Sequence, residues 1–287
     1  MATPPFVTRF APSPTGYLHR GHAYSALCGF AAARAVGGRF LLRIEDLDET
    51  RVRPEYEAAI YEDFGWLGLD WERPVRRQSE HRADYAAALG QLRDKGLLYR
   101  CFKTRRELME AAASAPHGPE AAPYRGAALP EAEEAERLGR GEPFAWRLSL
   151  DGARAVLGGA WGNLVFVEEG AGPDGETGRI QAEPERLGDV ILSRKDIGVA
   201  YHLAVVVDDA LQGITHVIRG HDLFEAAHIQ RLLQALLGLP TPIYRHHNLL
   251  TDDTGQRLAK RRGSESLRDL RLAGADPADI WRELGFP

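Results

Sequence analysis

Arg9-Phe10-Ala11-Pro12-Ser13-Pro14-Thr15-Gly16-Tyr17-Leu18-His19-Arg20-Gly21-His22 is the stretch whose reading decides the fold. The apolar run Pro5 to Phe10 has the length and composition of a strand. A turn rich in Pro, Ser, Thr and Gly follows, and Gly21 to Val36 then reads as a helix that stops at Gly37-Gly38. A strand turning sharply into a helix brings backbone N–H groups and the positive end of the helix dipole to one point, where anionic phosphates bind. His19 and His22 are three residues apart, so both imidazoles can face one side at the helix start. Gly21 carries no side chain, which leaves room for a flat base or sugar against the backbone. The bland reading is that two histidines beside a turn serve only local hydrogen bonds.

The 287 residues suffice for one large domain or for one domain carrying an insertion. A formal net charge of -5 neither requires nor excludes a nucleic-acid partner, because such contacts depend on local patches. Two cysteines, Cys28 and Cys101, provide no disulfide framework, which fits a reducing cytoplasm. Met1-Ala2-Thr3-Pro4-Pro5 leads into no apolar core, so no signal peptide is expected, and no apolar run approaches membrane-spanning length. A soluble cytoplasmic protein with no membrane partner is expected.

Arg39-Phe40-Leu41-Leu42-Arg43-Ile44 reads as a second strand, buried on both faces except at Arg39 and Arg43, and it ends in Glu45-Asp46. Ligands of open parallel sheets sit at the carboxyl ends of strands, which puts Glu45 where a substrate would lie. The neighbours Asp46, Asp48 and Glu49 fit a solvated acidic loop equally well. Pro54 opens a helix with Tyr56, Ile60 and Phe64 on one face. Ser79 is expected to cap another helix, which reaches Lys95 and is ended by Gly96. The strand–helix–strand alternation predicts an α/β fold with a doubly wound parallel sheet.

From Leu97 to Arg186 the character changes. Thr104 to Ala113 and Glu131 to Arg137 read as helices on either side of Ser114 to Pro130, rich in Ala, Pro and Gly. Phe144, Trp146, Leu148 and Leu150 alternate as in a half-buried strand, and Gly170 to Gly178 reads as a loop. Arg100, Lys103, Arg105 and Arg106 cluster at the entry to this segment, as a solvated face or a phosphate contact. The sheet is expected to resume with parallel strands at Asp189 to Ser193, Leu203 to Val207 and Thr215 to Arg219. Tyr201 precedes one of these and Arg219-Gly220 ends another. Leu223 to Leu237 reads as a helix with Ala226, Ile229, Leu233 and Leu236 facing the core. Arg257 to Ser264 is a cationic loop beside glycine, suited to closing over a polyphosphate, or else a charged surface.

The first stretch resembles the first signature of class I aminoacyl-tRNA synthetases, and Arg9 to Ser13 looks like the glutamyl branch. The likeness covers about Thr8 to Arg51 and Tyr201 to Leu223, with a weaker block around Arg257 to Arg261. It implies a Rossmann-type catalytic domain split into residues 1–96 and 187–240, with an inserted acceptor-type subdomain at 97–186. Residues 241–287 then form a C-terminal segment with a mobile ATP loop. It also implies that Arg9, Phe10, Ala11, Pro12, Ser13, Glu45, Tyr201 and Arg219 bind L-glutamate and that Lys260 contacts ATP.

The residues themselves give this a mechanism. With ATP at His19, Gly21, His22 and Lys260 and a carboxylic acid beside Arg9, the carboxylate attacks the α-phosphorus, releasing pyrophosphate and leaving an acyl-adenylate. That step needs in-line positioning and positive charge more than covalent help. His19, His22 and Lys260 are the expected catalytic residues, with Mg²⁺ carried by phosphate oxygens and water. Arg9 and Arg219 can each pair with a carboxylate, Glu45 can take an ammonium, and Tyr201 and Ser13 add neutral hydrogen bonds. Three charges matched by three favour glutamate or aspartate, with Arg219 preferred for the side-chain carboxylate.

Longer relatives continue into a helical domain that grips the anticodon, whereas this chain stops at Pro287. It therefore resembles the short branch, the glutamyl-Q tRNA(Asp) synthetases, which activate glutamate without tRNA and esterify it to the queuosine of tRNA(Asp). The expected partners are L-glutamate and tRNA(Asp) carrying queuosine, for a monomer with no anticodon-binding domain. A truncated glutamyl-tRNA synthetase charging tRNA(Glu) and a catalytically silent nucleotide-binding paralogue are the alternatives. Arg257 and Ala259 stand where the loop of the family has Lys and Ser, so lower turnover is expected. The short branch often carries zinc in the insertion, but here Cys101 is followed by Phe102 and Lys103, with Tyr124 as the only downstream partner. One thiol and one phenol do not complete a tetrahedral site, so no zinc and no metal ligands are expected, and Cys101 reads as a buried apolar residue. Asp208 and Asp209 remain open between metal-linked, nucleotide-bonded and structural roles.

Overall fold

The structure, a computed structural model, describes residues 5–104, 107, 123–194, 198–250 and 265–287. Its first half is strand β1 (Val7–Phe10), helix α1 (Arg20–Ala35), β2 (Arg39–Ile44), α2 (Pro54–Trp66), β3 (Glu72–Arg77) and α3 (Arg82–Asp94). β1 and β2 run parallel with Val7 opposite Arg39, and β3 adds to the far side of β2, also parallel. Pro54 occupies the first turn of α2, where its missing N–H leaves no helical bond unmade.

The middle of the chain contributes to two different sheets. β4 (Leu98–Cys101) and β5 (Ala145–Leu148) belong to an antiparallel sheet completed by β8 (Ile191–Arg194) and β9 (Gly198–Val199). Helices α4 (Glu131–Gly139) and α5 (Leu150–Leu157) flank β5. β6 (Val165–Glu168) and β7 (Gly178–Gln181) form a hairpin instead. Helices α6 (Tyr201–Leu211) and α7 (Phe224–Leu237) bracket β10 (His216–Gly220). β11 (Ile243–His247) then lies between β10 and β6, parallel to both. So part of the 97–186 range pairs directly with β11, Glu168 lying opposite Tyr244. Helices α8 (Leu267–Leu272) and α9 (Pro277–Glu283) close the chain.

The two parallel halves meet at Val7 and Thr215. The Thr215 N–H donates to the Val7 carbonyl at 2.9 Å, and the Val7 N–H to the Thr215 hydroxyl at 2.8 Å. The resulting order, β3-β2-β1 then β10-β11-β6, carries a separate core on each face. Val7 and Leu41 point into a core built with Tyr85 of α3, Leu203 and Val206 of α6, and Ile229 and Leu233 of α7. Phe40, Leu42 and Ile44 point the other way, against Leu27 of α1, Ile60 and Phe64 of α2, and Leu267 and Ile280. A strand buried on both faces reads as a continuous apolar run, and that is why Phe40 to Leu42 shows no alternation. The doubly wound α/β sheet expected from the sequence is the one observed.

Several local expectations give way to packing. Leu203 to Val207, expected as a strand, lies inside α6. A helix buried on most of its circumference presents the same unbroken apolar run as a buried strand. Asp189 to Ser193 was expected to extend the parallel sheet, but β8 pairs antiparallel with β5 and β9. Leu150, expected at the end of a strand, opens α5 after its cap Ser149. Ser79 does not cap α3; it sits in a 3-10 turn and donates its N–H and hydroxyl to Asp46 at 2.8 and 2.6 Å. Arg43, expected to escape burial on β2, is 0% exposed because three carboxylates surround it. The helix expected from Thr104 to Ala113 falls almost wholly outside the described residues, as do Arg105 and Arg106 and the whole of Arg257 to Ser264.

Candidate active site

A cavity of about 490 Å³ opens at the carboxyl ends of β1, β2 and β10, the place where parallel sheets hold ligands. β1 brings Arg9, Phe10 and then Ala11 to it, β2 brings Glu45, and β10 brings Arg219. The start of α1 supplies His19, Gly21 and His22, and the start of α6 supplies Tyr201. Pro12 and Ser13 do not line the cavity. The Pro12 carbonyl accepts the Glu45 N–H at 3.0 Å, which ties the two strand ends together, and Ser13 is exposed. Lys260 lies outside the described residues.

At the start of α1 the two histidines cap each other's backbone. His19 is the N-cap, and its Nδ1 accepts the Gly21 N–H at 3.1 Å. His22 Nδ1 reaches back to accept the His19 N–H at 3.2 Å. The rings lie with centroids 3.9 Å apart. The local hydrogen bonding and the phosphate role are therefore compatible. With each Nδ1 used as an acceptor, the proton of a neutral imidazole sits on Nε2. The N–H groups of His22 and Ala23 are taken by the His19 carbonyl at 2.9 and 3.1 Å. First-turn amides are thus largely spent inside the helix.

Beneath the cavity floor lies a buried ionic lattice. Arg9 Nε donates to Asp209 Oδ1 at 3.0 Å, and Arg43 Nη1 donates to the same oxygen at 2.7 Å. Arg43 Nη2 also donates to Glu45 Oε1 at 3.1 Å. Asp208 accepts from Arg76 Nε at 2.7 Å, Gln78 Nε2 at 2.8 Å and the Tyr85 hydroxyl at 2.9 Å. Burial alone would raise the Asp209 carboxyl, but the charges of Arg9 and Arg43 hold it below the usual range. Burial pushes Glu45 above its usual value against the opposing pull of Arg43 and Arg9. Asp208 and Asp209 are thus occupied by arginines, glutamine and tyrosine, as parts of the frame that holds Arg9 and Glu45.

Arg219 is held from several sides. Its Nε donates to His246 Nε2 at 3.0 Å, Nη1 to Gln230 Oε1 at 3.0 Å and Nη2 to the Leu223 carbonyl at 2.9 Å, while its guanidinium lies over the Tyr244 ring. The Tyr201 hydroxyl stands 3.5 Å from Nη1. The sequence reading missed these supports, together with His247, Tyr24 and Ser25 of the cavity wall. Strand β11 carries three of them, Tyr244, His246 and His247, and its residues, Ile-Tyr-Arg-His-His, lack the apolar run that flags a buried strand.

In the antiparallel sheet, Cys101 is buried with its Sγ 3.8 Å from the Tyr124 hydroxyl. Arg100 lies over the rings of Trp146 and Phe144 and pairs with Glu134, so it covers apolar surface as well as facing solvent. Among the described residues no three His, Cys, Asp or Glu side chains gather as a metal site. No described helix is long and apolar enough to cross a membrane.

The doubly wound sheet thus sets a histidine-capped first helix facing two arginines and a glutamate across one cavity. Residues 5–281 match the family described as tRNA synthetases class I (E and Q), catalytic domain, and the chain belongs to that family. It is 46% identical to the glutamyl-Q tRNA(Asp) synthetase of Rhodobacter capsulatus, over 98% of this chain and 100% of that one. It is 44% identical to the protein of that name from Nocardia farcinica, over 97% of this chain and 85% of the other. Among solved structures, glutamate-tRNA synthetase from Elizabethkingia anophelis superposes with a TM-score of 0.72 at 27% identity. That match covers 94% of this chain but 54% of the other, so the chain spans about half of that longer protein.

Proposed function

We propose that this chain activates L-glutamate with ATP and transfers the glutamyl group to queuosine in the anticodon of tRNA(Asp). The observation that carries the reading is one cavity that unites Arg9, Glu45 and Arg219 with His19 and His22. In the first step a glutamate carboxylate oxygen bonds to the α-phosphorus of ATP and the bond to the bridging oxygen breaks. Pyrophosphate leaves and glutamyl-adenylate remains. In the second step a hydroxyl of the queuosine cyclopentene diol attacks the acyl carbon, AMP departs, and the hydroxyl proton goes to solvent or to phosphate.

Arg219 takes the side-chain carboxylate, Glu45 the ammonium and Arg9 the α-carboxylate side of the substrate, with Tyr201 adding a hydroxyl. His19 and His22 direct Nε2–H groups at the phosphates, and Gly21 leaves space for the nucleotide. Lys260 closes over the phosphates as charge builds on the leaving pyrophosphate, and Mg²⁺ enters with the nucleotide. Phe10 and Ala11 form the wall beside the amino acid, and Pro12 supports it from behind by tying its carbonyl to the Glu45 N–H. The protein works as a monomer in the cytoplasm.

The test is glutamate-dependent exchange of pyrophosphate into ATP without tRNA, followed by labelling of tRNA(Asp) with and without queuosine. Exchange with glutamate and labelling of the queuosine form alone are expected. Equal labelling of both tRNAs removes the queuosine assignment, and mapping the label to the 3′ end would favour charging of tRNA(Glu) instead. A Lys260→Ala protein that exchanges as fast as wild type would remove the role given to the loop.

A further inference from the structure

Arg219 owes its orientation to a buried relay that begins in the β6–β7 hairpin, far from the sequence blocks that mark the site. Glu168, the last residue of β6, is 1% exposed. Its Oε1 accepts the N–H groups of His246 and Gly170, both at 2.8 Å, and its Oε2 lies 2.5 Å from His246 Nδ1. A carboxylate receiving that many donors acts as an acceptor only, so the proton between Oε2 and Nδ1 belongs to the imidazole. His246 Nε2 then carries a lone pair, and the lone pair is what the Arg219 Nε–H meets at 3.0 Å. The reverse tautomer would set an N–H of His246 against the N–H of Arg219. Gly170 is required at its position, because a Cβ there would stand 2.1 Å from the His246 carbonyl oxygen.

The relay also decides what Arg219 has left to offer. Of five N–H groups, one goes to His246, one to Gln230 and one to the Leu223 carbonyl. One remains on Nη2. The second N–H of Nη1 donates to the Tyr201 hydroxyl at 3.5 Å, the longest of these bonds and the one a substrate oxygen can replace. Two N–H groups match the two oxygens of a carboxylate, whereas a carboxamide would turn its NH₂ toward one of them.

We infer that Glu168 and His246 are positioning residues that set which N–H groups of Arg219 face the substrate, and with them the preference for a dicarboxylic amino acid over its amide. The inference rests on the reading of Arg219 as the side-chain carboxylate site. Burial, chiefly, lowers the His246 imidazole below its ordinary value, in keeping with a neutral ring.

The decisive measurements use the whole protein. Nitrogen-15 NMR of histidine-labelled wild type should show His246 as the Nδ1–H tautomer, and finding Nε2–H instead overturns the relay. In Glu168→Gln the new amide can donate to Nδ1 and push the proton to Nε2. Pyrophosphate exchange should then show a glutamate KM raised by about ten-fold, the effect of one charged hydrogen bond misplaced, with the ATP KM unchanged. The preference for glutamate over glutamine should fall with it. His246→Gln, which can restore an acceptor near Nε2, should recover part of what His246→Phe loses. Folded variants with wild-type glutamate KM and selectivity overturn the positioning role. A wild-type protein with no glutamate-dependent exchange overturns the functional reading itself, and the two failures are distinct.

Discussion

Asp209 and Arg9, 200 residues apart in the chain, form a buried pair in which Nε meets Oδ1 at 3.0 Å and Nη2 meets Oδ2 at 3.4 Å. Arg43 closes on the same Oδ1 at 2.7 Å, so one carboxylate locks two guanidinium groups below the cavity. The pairing fixes the Nε edge of Arg9 toward α6 and leaves the rest of the guanidinium to the cavity. A site that must not rearrange while charge develops is best built from groups already held in place.

Asp209→Asn keeps the shape and removes the charge. Arg9 and Arg43 would then share only Glu45 and Asp208, and breaking a buried ion pair from one side costs about 3–5 kcal/mol. The expected outcome is a lower urea midpoint with a glutamate KM raised by about ten-fold and an ATP KM near wild type. Wild-type glutamate KM in a folded Asp209→Asn protein would show that Arg9 is aimed by something else.

His19 permits a separation of structure from chemistry. Asparagine is among the best N-cap residues, and its Oδ1 can take the place of Nδ1 as acceptor for the Gly21 N–H. It has nothing at the position of Nε2. His19→Asn should therefore stay within about 1 kcal/mol of wild-type stability while the exchange rate at saturating glutamate falls by about 10²-fold or more. Equal exchange rates would return His19 to a purely local role.

Glu45 gives the site a pH dependence of known sign. Burial raises its carboxyl, and an incoming ammonium needs the ionised form. As pH falls, a growing fraction of free protein carries a protonated Glu45, so the glutamate KM should rise toward acid while the ATP KM changes little. In Glu45→Gln the KM should be high at every pH and the slope lost. A wild-type KM that is flat down to about pH 5 would remove Glu45 from ammonium binding.

How much of this could be read from the chain depends on whether a contact is local. β1, α1 and β2 announce themselves through apolar runs and through Gly and Pro punctuation, and Arg9, His19, His22 and Glu45 stand at the ends of those elements, as Arg219 does near the end of β10. β3 does not, because Glu72-Arg73-Pro74-Val75-Arg76-Arg77 is an edge strand whose arginines pair with Asp208, Asp46 and Glu57. Leu203 to Val207 misleads because burial hides the helical period of α6. Arg43 misleads because its burial is meaningful only once Asp208, Asp209 and Glu45 are known to converge on it. Glu168 and His246 carry no local signal, for their relation exists only through the register that sets Tyr244 beside Glu168 across β11 and β6.

Acid stability tests the packing of the histidines independently of activity. His228 and His246 are buried, and His202 is held down to about 4, chiefly by burial and then by the charge of Arg219. His228 Nδ1 accepts the Glu183 N–H at 2.9 Å, and His246 Nε2 accepts from Arg219, so neither nitrogen can take a second proton without losing its bond. All three have folded values below the ordinary histidine value, lowered first by burial. As pH drops below about 6.5 the unfolded chain binds protons that the folded chain refuses, and stability falls by up to about 1.4 kcal/mol per pH unit for each such ring. Above that pH the rings are neutral in both states and contribute no slope. Urea midpoints should therefore hold steady from about pH 8 to about pH 7 and decline steeply toward about pH 5. His228→Asn, which keeps an acceptor for the Glu183 N–H and has no proton to gain, should flatten that decline by the share of one group. A midpoint unchanged between neutral pH and pH about 5 would mean that the native rings protonate freely, and the tautomer argument for His246 would lose its footing.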